Sequence, residues 1–240
     1  MLAALRLGGI LLLFIGCVPL HVGTKLIYGR SRWPKRFMKY AARICGAQVR
    51  VRGGPLRSHT LLVCNHTSWL DIPVLASATG CAFVSKHELG HSLVHWMADQ
   101  NNTVYVRRDH RRGSADQAEA IVEKLKHRQP LALFPEGTTG PGTDMLPFRS
   151  TLFAAVAPPP PGVTVRPVAI DYYASAPELG WYEEPGLKNV LRTLGRPQGV
   201  RVTVRLLDPL PPMDDRKALA EAARSAIAEA LASSRARATL

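Results

Sequence analysis

No aspartate or glutamate occurs before Asp71. The first 70 residues therefore hold no carboxylate that could bind a metal or act as a catalytic acid. The chain is also poor in cysteine. Cys17, Cys45, Cys64 and Cys81 show no spacing typical of zinc sites or disulfide frameworks, so they read as reduced, small apolar residues. Aromatic residues make up only 7% of the chain, too sparse for a base-stacking platform on nucleic acid. There is no HExxH helix, no Walker sequence and no Gly-x-Ser-x-Gly elbow. These gaps exclude the common metalloprotease, nucleotide-hydrolase and serine-hydrolase plans, and no metal or cofactor is expected.

What is present is basic and apolar. The 240 residues fit a single domain, and the net charge is +13. Eleven Lys or Arg precede Asp71. Leu7–Leu20 is uncharged and dominated by Leu, Ile, Val and Phe, and the charge-free stretch runs to Thr24. Its length is at the margin for crossing a bilayer. A cleaved secretory signal is the competing reading, but no small-x-small site follows and the dense positive charge behind it opposes export. That charge places the rest of the chain on the cytoplasmic face of a membrane.

From Trp33 to Gly46, Trp33, Phe37, Tyr40, Ala41 and Ile44 share one helical face, and Lys35, Arg36, Lys39 and Arg43 share the other. This pattern suits either an anionic membrane surface or a helix packed on the core. The adjoining apolar segment favours lipid contact.

Strands are expected at Gln48–Val51, Leu61–Cys64, Ala82–Ser85, Val104–Val106, Leu131–Phe134, Val163–Ile170 and Val200–Leu206. Helices are expected at Ile72–Ser77, Leu89–Ala98, Ser114–His127, Thr151–Ala157 and Asp214–Ser233. The alternation predicts an α/β fold, one mixed sheet flanked by helices, with the apolar segment and basic helix in front. The division is 1–24 membrane segment, 25–46 basic linker helix, 47–235 domain and 236–240 tail. Pro158–Gly162 is a rigid connector, Ser175–Gly186 reads as an irregular loop, and Ser233–Leu240 as frayed.

Two segments carry chemistry. Asn65-His66-Thr67-Ser68-Trp69-Leu70-Asp71 follows one buried run, and Phe134-Pro135-Glu136-Gly137-Thr138-Thr139 follows another. Both lie at carboxyl ends of strands, where α/β folds build sites. With Thr67 or Ser68 capping the next helix, Asp71 falls in its first turn, and His66 can fold back onto it. A carboxylate on one ring nitrogen would leave the other to take a proton from a hydroxyl. A structural His–Asp hydrogen bond is the plainer alternative. Asn65 reads as a turn residue bonding its own backbone. Cys64 should point away from the site, so no thiolate nucleophile is expected. Glu136, Thr138 and Thr139 offer donors and acceptors to a polar ligand. Arg107, Arg108 and Arg149 sit just past core segments on the same side and suit phosphate.

These motifs, in this order, resemble those of the glycerolipid acyltransferases, in particular bacterial 1-acylglycerol-3-phosphate and lyso-ornithine lipid acyltransferases. Asn102–Arg108 resembles the family's Gly-x-x-Phe-Ile-x-Arg block, and Val165–Ile170 its late Val-x-Pro-Val strand. The resemblance spans roughly residues 35 to 210. It implies that His66 is the base for an acceptor hydroxyl and that Asp71 supports it. It implies too that Arg108, Glu136 and Gly137 line an acceptor phosphate site, and that the donor is a thioester of coenzyme A or acyl carrier protein. Backbone amides near Gly137 would stabilise the oxyanion.

Asn102 replaces the family's usual Gly, and Arg107 stands where Asp is common. Thr139 stands where many phosphatidate-forming members have Arg, which favours an ornithine lipid. Arg107 and Arg149 can restore the charge, and the basic cluster suits a dianionic phosphate. The reading is thus a lysolipid O-acyltransferase of the bacterial inner membrane, with lysophosphatidate preferred and lyso-ornithine lipid as the alternative. A non-enzymatic basic module would explain the charge but neither motif.

Overall fold

A computed structural model describes residues 1–86, 92–106 and 113–238. Its centre is a seven-stranded sheet. The strands are β1 (Ala47–Arg52), β2 (Thr60–Cys64), β3 (Ala82–Lys86), β4 (Val104–Val106), β5 (Leu131–Leu133), β6 (Thr164–Asp171) and β7 (Val200–Leu206), in the order β1-β7-β6-β2-β5-β3-β4. β2 pairs in parallel with β5 and β6, and β3 with β4 and β5. β7 runs antiparallel to β6, and β1 parallel to β7. The sheet is mixed, as the sequence predicts.

Alternation along the strands builds two cores. Leu62 and Cys64 of β2, with Ala132 and Phe134, face one side. Leu61 and Val63, with Leu131 and Leu133, face the other. The first core is roofed by α2 (Trp33–Ile44) and α3 (Asp71–Thr79). The second is roofed by α5 (Gly113–Leu125), a 3-10 helix (Ser150–Val156) and α8 (Arg216–Ala238). α4 is Ser92–Gln100.

The apolar N-terminal segment is one helix, α1 (Leu2–Tyr28), of 27 residues and mean hydropathy 2.1. Length and composition would let it cross a membrane. It packs on α2 and on α7 (Gly186–Gly195). Arg6 Nη1 donates to Leu194 O at 3.0 Å and Arg196 O at 2.9 Å, and His21 Nε2 lies 3.0 Å from Gln100 Oε1. Leu11, Leu12, Ile15 and Leu26 are exposed along it. With its homologues, described below, this apolar helix points to membrane association.

Several expectations change. The apolar face of α2 is turned to α1 and α3, with Phe37 edge-on to Phe14 at 6.0 Å, while Tyr40 is exposed. The segment 175–186 is not a plain loop. It opens at the end of a 3-10 turn (Tyr173–Ser175), holds α6 (Ala176–Leu179) and runs into α7. The 151–157 helix is 3-10, not α. Residues 233–238 are not frayed: they continue α8, and Arg205 Nη2 donates to the buried Ser234 hydroxyl at 2.7 Å. That anchor on β7 lies far away in sequence and leaves no local signal.

Candidate active site

β2 and β5 are neighbours at the centre of the sheet, in a register that pairs Val63 with Leu133. Parallel pairing brings their carboxyl ends side by side, so the two motifs meet although some 70 residues separate them. His66 is clamped by the second motif at both ends of its backbone. Its N–H donates to Glu136 Oε1 at 2.6 Å, and its carbonyl accepts from Gly140 N–H at 2.8 Å. Its ring lies flat on Phe134, centroids 4.0 Å apart and planes 18° apart, with Phe83 stacked behind.

Asp71 is fully buried and opens α3. Its Oδ2 accepts from His66 Nδ1 at 2.8 Å, Thr67 N–H at 2.7 Å and Ser68 N–H at 2.9 Å. The geometry thus caps the helix backwards. The N-cap position is Leu70, and neither Thr67 nor Ser68 caps through its side chain, contrary to expectation. The first helical amides are taken by backbone carbonyls instead, Asp71 N–H by Ser68 O at 3.1 Å and Ile72 N–H by Trp69 O at 3.2 Å, and the Asp71 carboxylate in the first turn complements the helix dipole. With Nδ1 committed, Nε2 is the nitrogen left to take a proton, on a side chain that keeps 16% of its surface exposed.

Asn65 does not bond its own backbone. Its Nδ2 donates to Ile170 O at 3.0 Å and its Oδ1 accepts from Ile170 N–H at 2.8 Å, a two-pronged clamp onto β6. Cys64 is buried, and burial pushes its thiol well above the ordinary range. This agrees with its dismissal as a nucleophile.

The Glu136 carboxyl of the Pro-Glu-Gly motif is turned inward. Glu136 is 3% exposed, and its second oxygen accepts from Leu146 N–H at 2.8 Å. Thr139 Oγ1 donates to Trp181 O at 2.6 Å, and Trp181 N–H donates to Thr67 O at 3.0 Å. The 175–186 segment therefore ties the two motif loops together. It can approach so closely because Gly142 and Gly180 lack side chains. A Cβ at either would sit 2.1 or 2.2 Å from a backbone oxygen of the facing loop. Gly137 adopts φ 78° and its N–H donates to Phe134 O at 3.1 Å, so that amide is taken up within the turn and is not a ready oxyanion donor. Thr138 is exposed. Arg149 is exposed as well, held beside the motif by its N–H bond to Pro135 O at 2.9 Å. Arg107 and Arg108 lie outside the described residues.

Burial raises the Glu136 carboxyl to about 7, against the two amide bonds that favour its ionised form. The folded chain thus holds this proton more tightly than the unfolded one. Its contribution to stability is full below 4.5 and is lost as pH rises toward 7. Glu136→Gln should flatten this part of the profile of Tm against pH. It should also cost about 1–3 kcal/mol, because an amide NH2 must confront one of two N–H donors. An unchanged slope between pH 4.5 and 7 would refute the assignment.

The sequence pattern of the family described as Acyltransferase matches residues 48–171. The chain is 32% identical to a lyso-ornithine lipid O-acyltransferase of Rhodobacter capsulatus over 93% of its own length and 88% of the relative's. It is 35% identical to the enzyme of that name from Pseudomonas aeruginosa, over 87% and 80%. A 1-acyl-sn-glycerol-3-phosphate acyltransferase of Neisseria gonorrhoeae is 34% identical over 50% of the chain and 48% of the relative. The crystal structure of the 1-acyl-sn-glycerophosphate acyltransferase of Thermotoga maritima has the same fold, with a TM-score of 0.58 at 23% identity, covering 93% of this chain and 97% of that one. A His–Asp pair at the centre of such a sheet, inside a segment that carries the family pattern, leads to one conclusion: the chain belongs to the acyltransferase family, in its lysophosphatidate and lyso-ornithine lipid branch.

Proposed function

We propose that the protein transfers a fatty acyl group from a thioester of coenzyme A or acyl carrier protein to the free hydroxyl of a lysolipid, at the cytoplasmic face of a bacterial inner membrane. The observation that carries this is the His66 Nδ1–Asp71 Oδ2 bond of 2.8 Å, which leaves Nε2 as the base. The acceptor hydroxyl gives its proton to Nε2 as its oxygen attacks the thioester carbonyl. The tetrahedral intermediate then collapses and expels the thiolate, which recovers the proton from the imidazolium. Asp71 supports the imidazolium between these steps. The apolar α1 and the basic residues of α2 would hold the site against an anionic bilayer, where lysolipid and product reside.

Two head groups fit. Arg149, beside the motif, and Arg107 and Arg108 suit the phosphate of lysophosphatidate. Thr139, occupied with Trp181, suits a zwitterionic ornithine lipid, the substrate named for relatives that align over most of the chain. Purified protein offered both acceptors, each with both donors, and analysed by product mass decides between them. If the acceptor is the phosphate, Arg108→Ala should raise its KM about tenfold to a hundredfold, the loss of one charge-assisted bond. The donor KM should stay unchanged. Preferred turnover of lyso-ornithine lipid, with Arg108→Ala silent, would assign the other head group. No acyl transfer with any pair would refute the proposal.

A further inference from the structure

Asp71 spends only one of its oxygens on the His66 turn. Oδ2 takes all three donors, while Oδ1 is buried and has no hydrogen-bond partner among the described residues. Tyr172 presents the same anomaly. It is 2% exposed, and its hydroxyl is buried and unpartnered among the described residues. An orphaned acceptor and an orphaned donor are each costly to bury, and a folded protein rarely leaves both without a reason.

The fold brings the two together. The Asn65 clamp holds Ile170 against the end of β2. Tyr172 follows two residues later on the same side as Ile170, in the core that contains Leu70 and Val74 from the start of α3. The electrostatics report the same neighbourhood. Burial first, then the nearby charge of Asp71, holds the phenol well above its ordinary range. The O–H is therefore a neutral donor throughout the working pH range. It lies near enough to Asp71 to interact but outside strict hydrogen-bond geometry in this state.

We infer that Tyr172 is a positioning residue for the His66–Asp71 pair. Its hydroxyl donates to Asp71 Oδ1 and fixes the carboxylate plane while Oδ2 supports the imidazolium. The inference rests on reading His66 as the base. The tyrosine keeps its proton throughout; only the acceptor hydroxyl's proton moves, to Nε2 and on to the leaving thiolate. Oδ1 is thereby stabilised without a second cation, which would compete with His66 for the charge.

Tyr172→Phe removes the hydroxyl and keeps the ring. It should lower kcat about tenfold, the rate equivalent of one hydrogen bond to a charged group, while both KM values hold. With Oδ1 no longer shared, the carboxylate holds the imidazolium proton more tightly, so the acid limb of kcat/KM should move to higher pH. Among the described residues, the other titratable or charged groups near the pair are Cys45 and Cys64, whose thiols burial keeps protonated, and Glu136 with Arg224. Because burial raises the Glu136 carboxyl to about 7, its own titration is separated by comparing the limb in the Glu136→Gln background as well. A purely structural tyrosine would lower Tm and leave the limb in place. Adding Tyr172→Phe to Asp71→Asn should cost nothing further, since the tyrosine acts through the carboxylate. Wild-type kcat with an unmoved limb, or full additivity with Asp71→Asn, would overturn the inference. Undiminished turnover in His66→Ala would instead remove the base itself, so the two failures are distinguishable.

Discussion

His66→Ala is expected to lower acyl transfer about a hundredfold to ten-thousandfold, the range for loss of a positioned general base. Among the described residues, the nearby groups offer no substitute. Cys64 is buried with its thiol held protonated, and Glu136 has both oxygens engaged by backbone amides. The fold should survive, because the clamps on residue 66 use its backbone N–H and carbonyl, which alanine retains. The removed ring leaves a gap over Phe134, so a modest fall in Tm is expected. Lysolipid binding to the variant, followed by equilibrium titration, should be largely preserved. The loss would then appear in kcat rather than in acceptor affinity. Turnover near that of the unaltered protein would mean that His66 is a structural partner of Asp71 and that another group activates the acceptor.

The strands were legible because burial imposes a period. Leu61 to Cys64 alternates between two cores, and the flanking polar turns bound it, so the sequence marks β2 almost to the residue. Adjacency of the two motifs follows from parallel pairing, which the β-α-β alternation implies. The links that hold the site rigid were not legible. Asn65 to Ile170 spans 105 positions and His66 to Glu136 spans 70, and each is a side-chain bond to a backbone group that any residue supplies. Such a partner has no compositional signature. The sequence reads Glu136 as a group for a polar ligand and carries no sign that its carboxyl also brackets two loops. Gly186–Gly195 was missed as a helix because its burial rests on only a few side chains, among them Asn189, Thr193 and Leu194, two of them polar. Asn189 Nδ2 donates to Gly180 O at 2.9 Å and so steadies the segment that carries Trp181. The stack of His66 on Phe134 has a signal in the sequence, since the aromatic directly follows β5 and packs in the same core as Cys64, two residues before His66.

Asp71→Asn should be nearly as damaging as loss of the imidazole, about a hundredfold to ten-thousandfold in kcat, and for a different reason. The asparagine oxygen can occupy the place of Oδ2 and accept the same bonds from Thr67, Ser68 and His66, so the turn into α3 should persist. What disappears is the negative charge that supports the imidazolium in a fully buried position, where no solvent can replace it. If the amide flips, its NH2 meets Nδ1 and forces the ring proton onto Nε2, which can then no longer accept one. Either orientation impairs the base, but only the first keeps the scaffold, since the flip turns the NH2 against the Thr67 and Ser68 N–H donors and is disfavoured for that reason. Asp71→Ala separates scaffold from charge. It strands the Thr67 and Ser68 amides as well as Nδ1, at about 1–3 kcal/mol for each buried donor, and should lower Tm far more than the asparagine variant does. The decisive measurement is therefore paired: kcat and Tm for both variants against the unaltered protein. Comparable loss of activity with well-separated Tm values is the expected result. Asp71→Asn with at least half of normal turnover would show that the carboxylate shapes the turn without assisting the chemistry.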